Sequence, residues 1–213
     1  MDMVKVMHYS KTFITGYDKT TAWMMPWFIE NFDKHMPNTA LVAYNFDEFN
    51  APVKGMKNWF KKPYAMADAS KKASSVCWID SDIEIRDNVE DIFDWCEPNR
   101  LAMVEDQPWT TRRKETWHNS GVVAFKGRPN ILDEWVAAIS SLPMVTNPMV
   151  GDQDILHSCI KDDMRRRIHI TDLPKAYNTL RLDLLDNTAP AQIKLMHWTG
   201  PKGKDRIRGM INE

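Results

Sequence analysis

The 213-residue chain predicts an α/β fold, a central and largely parallel sheet flanked by helices. Two observations carry that expectation. Short apolar runs of strand length alternate with stretches of helical length and helical spacing. One such run, residues 75–79, stops abruptly at Asp80-Ser81-Asp82. No internal repeat or low-complexity linker divides the chain, so residues 1–213 are expected to form one domain.

The elements follow in order. Met3-Val4-Lys5-Val6-Met7-His8-Tyr9 is the first expected strand. Residues 20–35 set Trp23, Trp27, Phe28 and Phe32 at helical spacing, with Pro26 limiting the first turn. Pro37-Asn38 turns the chain into a strand at 41–44. A basic, aromatic helical stretch covers 56–72, interrupted near Pro63. Beyond the strand at 75–79, further strands are expected at 101–104, 122–125, 168–171 and 193–197. Helices are expected at 131–140 and 153–161, the second with Asp152 as its N-cap. Residues 11–16 make a poor version of a glycine-rich phosphate loop.

Composition narrows the classes. A hydrophobic share of 43% is enough for a buried core. The net charge of -1 has no clustered basic excess beyond Arg165-Arg166-Arg167 and residues 202–208, which argues against a nucleic-acid partner. Cys77, Cys96 and Cys159 are odd in number and form no CxxC pair, as expected of reduced thiols in an intracellular protein. No apolar run approaches the ~18 residues of a membrane span, and the expected location is the cytoplasm. Nine tryptophans are many; most belong in a core, while Trp59, Trp109, Trp117 and Trp198 are candidate platforms for a flat ligand.

Asp80-x-Asp82 sits where an apolar strand stops, and open α/β sheets bind ligands beyond the carboxyl ends of their strands. The bland reading is an acidic turn. The sharper one is a divalent cation, which removes the repulsion between two carboxylates and prefers oxygen ligands. Three later segments favour the sharper reading. His118-Asn119-Ser120-Gly121 leads into a buried strand, Gly151-Asp152-Gln153-Asp154 opens a helix, and His197 ends a strand before Trp198-Thr199-Gly200-Pro201-Lys202-Gly203-Lys204, read as a small-residue loop with two lysines.

A DxD after a strand, an N-[ST]-G before a strand, a D-Q helix start and a C-terminal H-x-x-G, in that order, resemble the GT-A nucleotide-sugar glycosyltransferases. The resemblance is to the glycogenin and bacterial galactosyltransferase group, spans nearly the whole chain, and takes in Leu173-Pro174 and Tyr177-Asn178. The sequence is also similar to glycosyltransferase domains of large chlorella viruses that build capsid-protein glycans, for which the location is the host cytoplasm. The resemblance implies a single GT-A (Rossmann-like) domain transferring a hexose or deoxyhexose from a UDP-sugar to a carbohydrate or glycoprotein-glycan acceptor. It implies Asp80, Asp82 and His197 as ligands of Mn²⁺ or Mg²⁺, with one imidazole favouring Mn²⁺. Donor contacts are implied at His8, Tyr9, Ser10, Lys62, Ser81, Asn119, Ser120, Gln153 and Gly200. Lys204, four residues after Gly200, stands one place late for the family lysine, which leaves Lys202 as a competitor. Asp152 and Asp154 are the candidate catalytic acids, with Lys204 stabilising the leaving diphosphate.

Three other classes compete. A phosphohydrolase of the haloacid-dehalogenase type also carries DxD after a strand, but on its first strand, and Glu84 stands where that family expects a small or branched residue. A non-catalytic nucleotide-sugar binding module would keep the donor site without turnover. A nucleotidyltransferase would want a better glycine-rich loop than residues 11–16 offer.

Overall fold

The computed structural model describes residues 9–53, 57–142 and 150–212. Strand β1 is Tyr9–Tyr17, so the strand expected at 3–9 lies outside the described residues up to Tyr9, which opens β1. Residues 11–16 are therefore strand and not a phosphate loop. Thr12, Phe13, Ile14 and Thr15 are all buried, and β-branched threonine suits a strand covered on both faces.

A 3-10 turn at Ala22–Met24 leads into α1 (Met25–His35), where Pro26 falls in the first turn and costs no hydrogen bond. Strand β2 is Leu41–Asn45. Another 3-10 turn, Asn58–Lys61, runs into α2 (Lys62–Ala69), so Pro63 starts a helix instead of interrupting one. Then come β3 (Ala73–Ile79), β4 (Ile83–Ile85), β5 (Leu101–Glu105), α3 (Gln107–Arg113) and β6 (His118–Lys126). Helices α4 (Asn130–Ser140), α5 (Asp152–Ile160) and α6 (Asp163–His169) precede β7 (Ile170–Asp172). The strand expected from residue 168 thus begins two residues later, because α6 runs through Ile168 and His169. The chain closes with β8 (Thr179–Leu180), α7 (Arg181–Leu185), β9 (Leu195–His197) and α8 (Gly200–Asn212).

Two further expectations are corrected. Gly151, not Asp152, caps α5, and the Asp154 carboxylate accepts the Gly151 N–H at 2.8 Å. The loop read after His197 is the first turn of α8. Pro201 is tolerated there, and Gly203 is a matter of space: a Cβ at that position would meet the Trp198 carbonyl oxygen at 2.0 Å.

The main sheet has the order β2-β1-β3-β6-β5-β7, with β6 antiparallel to its neighbours and the rest parallel. A second sheet, β4-β9-β8, pairs Ile83 with His197. Alternate side chains of the main sheet serve two cores. Phe13, Cys77, Ile79 and Val122 face α1, β9 and Ile207 of α8. Ile14, Val76, Trp78 and Val123 face α2, α4 and α5. This topology brings the carboxyl ends of β1 and β3, the start of β6 and the end of β9 to one edge. Among the described residues no helix is long and apolar enough to cross a membrane.

Candidate active site

Asp80 leaves the end of β3 with its N–H bonded to the Gly121 carbonyl at 2.8 Å, which locks the acidic turn against β6. Ser81 is buried beside it. Trp198 N–H donates to the Asp82 carbonyl at 3.0 Å, so the segment after β9 is tied to the same turn. His197 thereby lies with Nε2 3.2 Å from Asp82 Oδ1 and 3.9 Å from Asp80 Oδ2. Ligand atoms of Asp80, Asp82 and His197 all fall within 4.8 Å of one another. Two carboxylate oxygens and an imidazole suit a divalent cation of the Mn²⁺ or Mg²⁺ kind. Gly121 makes this possible, since a Cβ there would stand 2.3 Å from His197 Cε1.

Beneath the acidic turn lies a buried cation. Lys62, 6% exposed in its side chain, reaches Asp80 Oδ1 at 3.0 Å and Asp152 Oδ2 at 3.2 Å. Its ammonium also donates to the Ser120 carbonyl at 3.1 Å and Oγ at 3.2 Å. Ser120 Oγ in turn donates to Asp152 at 2.9 Å, and Trp78 Nε1 donates to Asp80 at 2.6 Å. Burial would lower the Lys62 ammonium, but Asp152 and Asp80 outweigh it and hold the group above the ordinary lysine range. Burial, joined by Asp82 and Asp152, raises the Asp80 carboxyl against the pull of Lys62 and His197. Burial acts the same way on Asp82, but His197, Lys204 and Lys62 prevail and lower it. For His197 burial lowers, whereas Asp82 and Asp80 prevail and raise the imidazole.

Lys62, Trp78, Asp80, Ser81 and Asp82 line one wall of a cavity of about 630 Å³, within the range of small-ligand sites. Gly16, Tyr17 and Asp18 at the end of β1, Asn58, Trp59, Phe46, Asp152 and Lys204 line the rest. Asp18 accepts from Thr20, Thr21 and Asn58 at 2.6–3.2 Å, which fixes the turn after β1.

The expected site residues divide accordingly. Asp80, Ser81, Asp82, Lys62, Asp152 and Lys204 line the cavity, and His197 closes on the two aspartates behind it. Asn119, Ser120 and Gln153 stand behind the wall, with Gln153 Oε1 accepting the Ser120 N–H at 3.0 Å. Asp154 turns away to cap α5. Lys202 is exposed outside the cavity lining, and Gly200 opens α8 with φ of 72°. Tyr9 and Ser10 stand at the start of β1, a full strand from its carboxyl end. His8 lies outside the described residues. The sequence reading did not single out Tyr17, Asp18, Asn58 or Asp106, and named Asn178 only within the Tyr177-Asn178 element, with no role. Asp18, the polar residue just past a strand on the same edge as Asp80, was the findable one once β1 is seen to run to Tyr17.

Among solved structures the chain resembles a glycosyltransferase involved in glycosylation of the major capsid of PBCV-1. The TM-score is 0.64 at 15% identity, over 94% of this chain and 98% of that one. The galactosyltransferase LgtC, in complex with donor and acceptor sugar analogs, gives a TM-score of 0.62 at 13% identity over 94% and 95%. The fold is that of the GT-A glycosyltransferases. Mouse xyloside xylosyltransferase 1 shares this GT-A architecture more distantly, with TM-score 0.53 and 10% identity over 88% and 97%. No protein-family model and no curated protein matches the sequence.

Proposed function

We propose that this chain is a metal-dependent glycosyltransferase that moves a hexose or deoxyhexose from a UDP-sugar to a hydroxyl of a glycan acceptor. The observation that carries the reading is the Asp80–Asp82–His197 group opening into a cavity that also receives Lys204. Bound there, Mn²⁺ or Mg²⁺ would stabilise charge on the departing diphosphate as a Lewis acid. Lys204 adds a second positive charge at the leaving group, where charge grows as the glycosidic bond breaks. Asp152, steadied by Lys62 and Ser120, is the acid that faces the donor sugar. It orients the sugar and offsets positive charge at the anomeric carbon, the role expected with retention, or deprotonates the acceptor hydroxyl with inversion. The uracil end belongs at Tyr17 and Asp18, in place of Tyr9 and Ser10.

The haloacid-dehalogenase reading loses ground because the DxD follows the third strand and flanks the antiparallel β6. A panel of nucleotide sugars in thermal shift, with Mn²⁺ and with EDTA, tests the proposal, since specific binding raises stability. UDP-sugars are expected to stabilise the protein most, and only with metal. Equal stabilisation by GDP- or ADP-sugars, or in EDTA, overturns it.

A further inference from the structure

Behind the acidic turn runs a file of buried amides with a fixed direction. His197 Nδ1 is 3.0 Å from Asn178 Oδ1, Asn178 Nδ2 is 2.8 Å from Asn119 Oδ1, and Asn119 Nδ2 is 3.1 Å from Asp106 Oδ2. All four residues are buried, and Asn178 is 0% exposed. Amide and imidazole hydrogens must be assigned from their partners, and here one partner is unambiguous. The Gly121 backbone N–H, which can only donate, points at the same Asn119 atom that meets Asn178, at 2.9 Å. That atom is therefore the carbonyl oxygen. Asn178 must present its NH₂ to it, which turns the Asn178 carbonyl oxygen toward His197. The other end agrees, because the Asn119 NH₂ then faces the Asp106 carboxylate.

We infer that Asn178 is the positioning residue of the metal site: it takes the Nδ1–H of His197 and so dedicates Nε2, the nitrogen facing Asp82 and Asp80, to the cation. No proton need be rearranged within the ring when metal arrives, and the ring plane is held by the same bond. The inference rests on the metal reading for its purpose, but not for its geometry. It also gives the Asn119 and Gly121 positions one common task. Asn119 sets the polarity of the file, and Gly121 clears the space that the oriented ring occupies.

The test is long-range ¹H–¹⁵N correlation of the His197 ring in uniformly labelled protein, at a pH alkaline enough for a neutral ring. Manganese affinity is measured alongside by electron paramagnetic resonance without nucleotide. The wild type should show a pyrrole-type Nδ1 and a pyridine-type Nε2. Asn178→Leu should lose that preference and bind Mn²⁺ about 10–100-fold more weakly. Asn178→Asp keeps an acceptor opposite Nδ1 and should keep the tautomer, so it and the wild-type spectrum decide the matter if Asn178→Leu does not fold. A pyridine-type Nδ1 in the wild type overturns the inference, as does an Asn178→Leu protein with unchanged tautomer and affinity. A pyrrole-type Nδ1 in a protein that binds no Mn²⁺ supports the relay and removes the metal function proposed above.

Discussion

Replacing Lys62 by Met tests how the acidic wall of the cavity is held together. The ammonium lies within 3.2 Å of carboxylate oxygens on both Asp80 and Asp152, whose side chains are 24% and 10% exposed. Methionine has similar length and no charge, so the substitution leaves two partly desolvated carboxylates facing each other. Breaking a buried ion pair by deleting one partner costs about 3–5 kcal/mol. For a chain of this size that corresponds to a melting point roughly 6–20 °C lower. The loss should shrink as pH falls, because protonating Asp80, whose carboxyl burial already raises, removes uncompensated charge. Adding Asp152→Asn should restore part of the stability, a coupling that a double-mutant cycle in urea measures directly. A loss below about 1 kcal/mol at pH 7 that does not depend on pH would refute the argument.

Other outcomes follow from the same geometry. Gly121→Ala should displace the His197 ring and weaken Mn²⁺ binding at least about tenfold, read by calorimetry, with the sheet intact by circular dichroism. Because the folded-state pKa of His197 is raised, its contribution to metal-free stability is complete below the unfolded value of about 6.5. It is then lost as pH rises through the folded value, while Mn²⁺ affinity increases over that same interval. Melting curves with and without Mn²⁺ should therefore diverge with rising pH, and parallel curves would contradict the assignment. Asp154→Asn should cost about 1 kcal/mol by weakening the α5 cap and leave transfer largely intact. Asp152→Asn should abolish transfer while UDP binding persists, and normal transfer by Asp152→Asn would remove it from the chemistry.

Much of this arrangement was legible in the sequence, for reasons that particular residues make plain. Asp80-Ser81-Asp82 stood out because an apolar strand announces its own end. Asn119-Ser120-Gly121 stood out because a polar triplet precedes a fully buried run. Strand β1 beyond Tyr9 was not legible because Thr12 and Thr15 make its buried centre look polar, whereas residues 3–9 alternate in the manner of a strand and lie, up to Tyr9, outside the described residues. Tyr9 and Ser10 stand at the amino end of β1, whereas Tyr17 and Asp18 at its carboxyl end line the cavity. Helix α8 was hidden by Gly200, Pro201 and Gly203, three turn-like residues whose actual reasons are a left-handed start, a tolerated first-turn proline and close packing on Trp198. Asn178 stood out only as part of the Tyr177-Asn178 element, with nothing to show what it touches, and Asp106 carries no local pattern. Their roles arise from contacts 59 and 13 residues away in sequence, which only the fold brings together.

Titration calorimetry of UDP into the wild-type protein, in Mn²⁺ and in EDTA, tests the central claim most directly. A metal-bridged diphosphate predicts clear binding with Mn²⁺ and little without it, and loss of that difference in Asp82→Asn. Equal UDP affinity in Mn²⁺ and in chelator would contradict the account, because the paired carboxylates would then repel the diphosphate they are proposed to help bind.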